Sequence, residues 1–74
     1  MAEYEMSAFR DDKAAPVETI RSGERPSEES IHKMAEKANL GGYNFRYWRT
    51  ELRVEGHVQL DFDNGHIDIR KETN

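Results

Sequence analysis

The stretch that predicts most of the fold is residues 58–69, which read VQLDFDNGHIDI. Apolar and polar side chains alternate on both sides of the Asn-Gly pair at residues 64–65, and a period of two predicts strands with one buried face. Asn-Gly between alternating segments is the strongest short-range signal for a β-hairpin. A two-residue loop there would place Phe62 opposite Ile67, so the apolar side chains of both strands would share one face.

A third strand is predicted upstream of this hairpin. Residues 43–54 are rich in aromatic and β-branched side chains, which favour strands. A loop at residues 55–57 would then join them to the next strand in an antiparallel meander. The alternation changes phase near Tyr47, so we expect a bulge there. A single long strand that continues through Gly56 is the alternative.

A short helix is predicted between the N-terminal part and this sheet. Ser27 is a suitable N-cap, and Gly41 or Gly42 can take the left-handed conformation that ends a helix. The helix has one apolar stripe at helical spacing, formed by Ile31, Met34, Ala35 and Ala38. We expect the stripe to pack on the apolar face of the sheet, formed by Leu52, Val54, Val58, Leu60, Phe62, Ile67 and Ile69.

The N-terminal part has a different character. Residues 1–27 contain few apolar side chains and two prolines, so they are predicted to be a flexible, disordered tail. The alternative is that Phe9, Val17 and Ile20 dock on the domain or on a partner. Residues 28–74 are predicted to be a small α+β domain, with one short helix packed on an antiparallel β-meander of two or three strands.

Composition excludes several classes of protein. The chain has 74 residues, no cysteine and a formal net charge of −4, and its mean hydropathy is −1.01. No apolar run approaches the roughly 20 residues of a spanning helix, and a disulfide framework or cysteine-based zinc module needs cysteine. The acidic N-terminal region lacks the pattern of a secretion signal. We therefore expect a cytoplasmic protein that does not contact a membrane.

Catalytic and metal-binding patterns are also missing from the sequence. No serine has the setting of a nucleophile elbow, no glycine-rich loop opens a helix, and the histidines are scattered. Asp61, Asp63 and Glu72 match positions 1, 3 and 12 of a calcium loop, but the glycine falls at position 5 instead of 6. The sequence therefore predicts a protein that is not an enzyme and binds no metal or cofactor.

The most informative segment for binding is residues 43–49, which read YNFRYWR. Tyr, Trp and Arg are enriched as anchors of protein interfaces, and aromatic side chains interleaved with arginine also suit stacking on nucleic-acid bases. The alternative is that these aromatic side chains only complete a small core. The predicted partner-binding residues are Tyr4, Phe9, Phe45, Arg46, Tyr47, Trp48 and Arg49.

An acidic row is predicted on the solvent face of the meander. The predicted register places Glu51, Asp61 and Asp68 side by side. Like charges that lie directly opposite each other destabilise a sheet. The row is therefore either neutralised by neighbouring arginines as a solvated charge network or available to a basic or metal partner.

The overall plan is a loose arm before Ser27, a short helix from Ser30 to Asn39 and a hairpin at residues 64–65. In this plan and in length the chain resembles small bacteriophage-encoded proteins that bind and regulate host bacterial RNA polymerase. The resemblance implies inhibition of transcription initiation, with antitermination as a second activity, and assigns no role to individual residues.

Two other functions remain open at this stage. One is a phage counter-defence inhibitor of a host nuclease complex, in which the acidic row mimics phosphates. The other is a small module that binds single-stranded nucleic acid through the strand from Phe45 to Arg53. The expected partner is bacterial RNA polymerase or another large host protein. The negative net charge disfavours nucleic acid as the sole partner, and we expect a monomer or weak dimer.

Overall fold

The computed structural model describes residues 2–42 and 47–73, and these residues form four strands and two helices. In chain order the elements are β1 (Ala2–Arg10), β2 (Glu18–Ser22), α1 (Glu28–Lys37), α2 (Trp48–Glu55), β3 (His57–Phe62) and β4 (Gly65–Thr73). The strands form one antiparallel sheet in the order β2-β1-β4-β3. This architecture confirms the predicted α+β class, with more strands and helices than expected.

The expectation of a disordered tail at residues 1–27 is wrong for the part that the structure describes. β1 lies inside the sheet and pairs with β4 from Ala2↔Thr73 to Arg10↔Gly65. Met6 and Ala8, on the buried side of β1, are 3% and 0% exposed. Because β1 lies between β2 and β4, the N-terminal part is integral to the domain and does not precede it.

The predicted helix is confirmed, and its ends are well defined. Ser27 caps α1 by accepting a hydrogen bond from Ser30 N at 3.1 Å, while Ser30 Oγ accepts one from Ser27 N at 3.0 Å. At the other end, Leu40 N donates to Ala35 O at 2.8 Å, as in a Schellman motif. Asn39 (φ 58°) takes the left-handed position immediately after the cap. The sequence predicts a glycine, Gly41 or Gly42, at that position.

The predicted third strand is replaced by a helix over the part that the structure describes. Residues 48–55 form α2, which ends at Gly56 in the left-handed conformation (φ 82°). Trp48 and Leu52, one helical turn apart, are both buried, whereas Val54 is 69% exposed. The phase change near Tyr47 therefore marks the start of a helix and not a bulge. Residues 43–46 of the predicted strand lie outside the described residues.

The core lies between the two helices and one face of the sheet. The stripe of α1 and the buried side chains of α2 meet alternate residues of three strands in one cluster. The predicted core is confirmed apart from Val54. The cluster consists of Met6, Ala8, Ile31, Met34, Ala35, Ala38, Leu40, Trp48, Leu52, Val58, Leu60, Phe62, Ile67 and Ile69.

The predicted hairpin is present, but its register differs by two residues. Ile67 lies opposite Leu60, whereas the predicted loop placed it opposite Phe62. Phe62 and Gly65 are the last pair, so Asp63 and Asn64 form the loop. Because a shift of two preserves the face of every side chain, the apolar residues still meet in the core.

The hydrogen bonds of the Asn64 side chain account for the difference between the observed loop and the predicted one. Its Nδ2 donates to Asn39 O at 2.7 Å and its Oδ1 accepts from Gly41 N at 3.1 Å. Asp63 N donates to Gly41 O at 2.8 Å. The β3–β4 loop is thereby bonded to the segment that follows α1, and the asparagine side chain pairs with one backbone carbonyl and one backbone N–H of that segment.

We expect Asn64→Ala to lower the free energy of unfolding by about 1–3 kcal/mol, because two backbone groups lose their partner. Urea denaturation of both proteins, followed by circular dichroism, measures the difference. Asp12→Ala is the control, because it removes an exposed ion pair with Arg10 (3.1 Å) and is expected to change stability by less than about 1 kcal/mol. Equal stability of Asn64→Ala and the unmodified protein would contradict this role.

Candidate protein-binding surface

The face of the sheet opposite the helices is its polar side. In each strand the residues that alternate with the core residues point to this side, and the described part of the chain places both helices on the other side. We call this surface the open face. It consists of Glu3, Glu5, Ser7, Phe9, Thr19, Arg21, His57, Gln59, Asp61, His66, Asp68, Arg70 and Glu72.

The open face has a net negative charge that is close to the net charge of the whole chain. Its described residues include five carboxylates and two guanidinium groups, a formal charge of −3 with neutral histidines, against −4 for the whole chain. Glu3 and Asp61 lie at exposed positions near opposite ends of this surface. A surface with one dominant sign of charge attracts partners of the opposite sign and speeds their association.

Arg21 links three strands across one end of the open face. Its guanidinium donates to Glu5 Oε2 at 3.1 Å from Nε and to both carboxylate oxygens of Glu72 at 3.2 Å. The hydrogen bond with Glu5 and then the charge of Glu72 raise the pKa of Arg21 above its usual value. The bonds hold two carboxylates at fixed positions, although exposed pairs of this kind contribute little to stability.

Phe9 and His66 form a stacked pair at the other end of the open face. Their ring centroids are 4.7 Å apart and the ring planes differ by 17°, as expected from their opposition in the β1–β4 register. Both side chains are half-buried. The pair is therefore a flat, partly apolar platform within a charged surface, and aromatic side chains are enriched in protein interfaces.

A shallow cleft of about 360 Å³ lies beside this platform. Ser7 on its floor is 7% exposed, and Ser7 Oγ and Thr19 Oγ1 share a hydrogen bond of 3.2 Å. The loop between β1 and β2 reaches the cleft through Pro16. The cleft is lined by Glu5, Ser7, Phe9, Pro16, Thr19, Asp68 and Arg70.

The predicted partner-binding residues are not brought together. Phe9 belongs to the open face, whereas Tyr4 lies on the helix side and packs against the core. Phe45 and Arg46 lie outside the described residues. Sequence reasoning also missed His66 and Arg21, because their roles depend on strand pairings by β1 that were not expected.

The start of α2 holds the other three predicted residues, and only two of them face solvent. Tyr47 is 78% exposed and takes a left-handed backbone conformation (φ 65°), which costs energy for a bulky side chain. Trp48 is 2% exposed and packs in the core, and its assignment as a partner contact stays a prediction. Arg49 Cζ lies 5.2 Å from the centroid of the Trp48 ring, and Arg49 Nη2 lies 4.0 Å from Glu28 Oε1.

The predicted acidic row is not formed. Asp68 lies opposite Gln59, Asp61 lies opposite His66, and Glu51 is part of α2. Glu51 and Asp61 nevertheless line one cleft of about 300 Å³ between the start of α2 and β3. Two of the three predicted carboxylates therefore lie near each other, but in a cleft between α2 and β3 and not in a row across the sheet.

The described part of the chain contains neither a metal-binding cluster nor a membrane-spanning helix. No group of three or more histidine, aspartate or glutamate side chains in residues 2–42 and 47–73 has the geometry to hold a metal ion. Neither of the described helices is long and apolar enough to cross a membrane.

Comparison with known proteins adds no relative. No family model matches the chain, and no curated protein and no solved structure matches it.

Proposed function

We propose that this chain is a non-enzymatic, protein-binding regulator whose open face docks on a basic surface of a nucleic-acid-handling protein in a host bacterium. The observation that carries this proposal is the open face itself. It has a formal charge of −3 and a stacked Phe9–His66 platform, and the described helices leave it uncovered.

The charge of the open face favours a basic protein over nucleic acid. Phosphate groups would meet net negative charge there, whereas binding to nucleic acid draws on lysine and arginine that replace counterions. The Phe45 to Arg53 strand of the nucleic-acid alternative is also a helix from Trp48 onward, with the tryptophan ring in the core. That alternative therefore loses its main stacking residue.

Bacterial RNA polymerase is the first partner to test. Enzymes that hold nucleic acid present basic surfaces. Two parts of the plan that resembles polymerase-binding phage proteins are present, the short helix and the β-hairpin, whereas the loose N-terminal arm is replaced by strands. Binding in the host cytoplasm would inhibit transcription initiation, with antitermination as a second activity. A host nuclease complex is the second candidate, because an acidic surface suits its basic nucleic-acid channel equally well.

The experiment measures binding of the purified chain to bacterial RNA polymerase, core enzyme and holoenzyme, over a series of salt concentrations. We expect Glu3→Lys/Asp61→Lys, which reverses charge on the open face, to weaken binding by at least about tenfold at low salt. The effect should shrink as salt rises, because exposed charges are screened within about 8 Å at 0.15 M salt.

The matched control is Glu36→Lys/Glu55→Lys, which makes the same change in net charge at exposed positions of α1 and α2. We expect it to weaken binding much less than the open-face pair. Equal losses from both pairs would show that the open face is not the docking surface. No binding to either form of polymerase at low salt would remove polymerase as the partner, and the same variants would then be tested on nuclease complexes.

A further inference from the structure

The outer edge of β2 is the most apolar strand edge that the structure describes. β2 lies at the end of the sheet order, and Ile20 and Val17 beside it are 40% and 36% exposed. An apolar cleft of about 270 Å³, lined in part by Tyr4, Met6 and Ile20, runs along the helix side of this edge. An exposed strand edge with apolar side chains is a template for pairing with another strand.

The hydrogen bonds of β1 determine which residues of β2 present backbone groups to this edge. Asp11 N donates to Asn64 O at 3.0 Å, one position beyond the Arg10↔Gly65 pair. In antiparallel pairs the hydrogen-bonded positions alternate. Odd-numbered residues of β1 therefore bond to β4, and even-numbered residues bond to β2.

The same alternation applies to β2. Ile20 lies opposite Met6, so its backbone groups bond to β1. Thr19 and Arg21 therefore direct their backbone N–H and C=O groups outward. The outer edge of β2 thus offers two hydrogen-bonding positions with an exposed isoleucine between them.

We propose that a second copy of this chain pairs with β2, antiparallel and about a twofold axis at Ile20. In this register Thr19 of one copy and Arg21 of the other form hydrogen-bonded pairs on both sides of the axis, which fits the outward groups of both edges. The two Ile20 side chains meet as a non-hydrogen-bonded pair, in which side chains approach most closely. Such a twofold contact is self-complementary and closed.

The competing registers are less favourable. A twofold axis at Arg21 would place two arginines directly opposite each other, which destabilises a sheet. An axis at Thr19 would place Ile20 opposite Glu18 and leave its apolar surface without an apolar partner. A register shifted by an odd number of residues would place the outward N–H and C=O groups of one copy opposite residues of the other copy whose backbone groups already bond to β1. The Ile20-centred register alone satisfies both the hydrogen bonds and the apolar pair.

The opposite edge of the sheet is less suited to the same pairing. At one end of β3, Asp63 N already donates to Gly41 O. Beside the outer edge of β3 lies the start of α2, with the exposed Tyr47 and the acidic Glu51 lining the cleft there. A second copy would bring its own Glu51 and Asp61 to this acidic edge, and like charges oppose such pairing.

Pairing through β2 gives one continuous sheet and leaves both open faces exposed. The inference therefore does not depend on the partner proposed above. Two five-residue strands bury less surface than the roughly 1,200 Å² of stable complexes, so we expect a dimer that forms at high protein concentration. A covalent trap detects such a dimer well, and the chain contains no cysteine of its own.

The test is disulfide trapping of Ile20→Cys in the full chain, with Val54→Cys as the matched control. Val54 is an exposed aliphatic residue on α2, far in sequence from β2 and 69% exposed. Non-hydrogen-bonded pairs have Cα atoms about 4.5 Å apart, within the 4.4–6.8 Å that disulfides span (about 5.5–6 Å most often). In a glutathione buffer at equal protein concentration, we expect at least about tenfold more disulfide dimer from Ile20→Cys than from Val54→Cys.

A second measurement uses the unmodified chain and Ile20→Lys. Sedimentation equilibrium up to about 1 mM, the concentration at which weak complexes populate, should show a mass above 8.6 kDa for the unmodified chain only. Equal trapping of the two cysteine variants would overturn the proposal. A monomer mass for the unmodified chain at every concentration would overturn it as well.

Discussion

A chain that starts at residue 24 is expected not to fold cooperatively, because β1 is an interior strand. Its removal exposes the edge of β4 along the whole register from Ala2↔Thr73 to Arg10↔Gly65. It also removes Met6 and Ala8 from the core. Burial of one methionine side chain alone stabilises a fold by about 1.5–3 kcal/mol. The whole free energy of unfolding of a chain of 74 residues is only about 4–11 kcal/mol.

Circular dichroism during thermal denaturation and the dispersion of amide proton resonances measure the outcome. We expect the shortened chain to show no cooperative transition and little dispersion. The control is the full chain with a Gly-Ser-Gly insertion between Ala14 and Ala15, which are exposed in the β1–β2 loop. Loops tolerate such insertions, because each doubling of loop length raises the entropic cost of loop closure by only about 0.6 kcal/mol. A shortened chain that melts like the full chain would show that residues 1–23 are a tail after all.

The reason that β1 escaped sequence reasoning is physical. Glu3, Glu5 and Ser7 alternate strictly with Tyr4, Met6 and Ala8, the pattern of a half-buried strand. Alanine contributes little to an apolar pattern, and Phe9 breaks the alternation on the other face. The strand is stable only because β4 and β2 pair with both of its edges, and no local pattern encodes such distant pairing.

Helix α1 and the β3–β4 hairpin could be predicted because their signals are local. For α1 the signals are the Ser27 cap and the apolar stripe, and for the hairpin the signal is the loop with Asn64. Each signal lies within a few residues of the element that it specifies. The hairpin register required more, because the loop is bonded to Asn39 and Gly41, distant in the chain. Local turn preference alone therefore predicts the correct face of the sheet for each side chain but the wrong cross-strand partner.

The candidate surface was less predictable than the core. The sequence favours the aromatic residues around Trp48, but large aromatic side chains dominate the energetics of cores as well as of interfaces. The open face becomes visible only after the strand order is known, because its charged residues come from four separate segments. Phe9 lies half-buried on the open face, and its stacking partner His66 is 57 residues away in the chain.

Gly65→Ala is expected to be among the most destabilising single substitutions in this chain. A Cβ atom at Gly65 would overlap the carbonyl oxygen of Phe9 and lie 2.8 Å from Leu40 Cδ2 and 3.0 Å from Arg10 Cα. Two of these neighbours are backbone atoms of β1, held by the Arg10↔Gly65 pair. The clash can therefore be relieved only if β1 moves away from the start of β4.

Overpacking of this kind costs typically about 1–3 kcal/mol and occasionally more, and we expect Gly65→Ala at or above the upper end. The loss of free energy of unfolding is measured by urea denaturation. Gly23→Ala is the matched control, because its added Cβ would have no neighbour within 4 Å and its φ is not positive. That substitution is expected to change stability by less than about 1 kcal/mol and in the stabilising direction, since alanine restricts the unfolded chain. Equal stability of the two variants would show that β1 does not approach Gly65 as closely as its pairing with β4 requires.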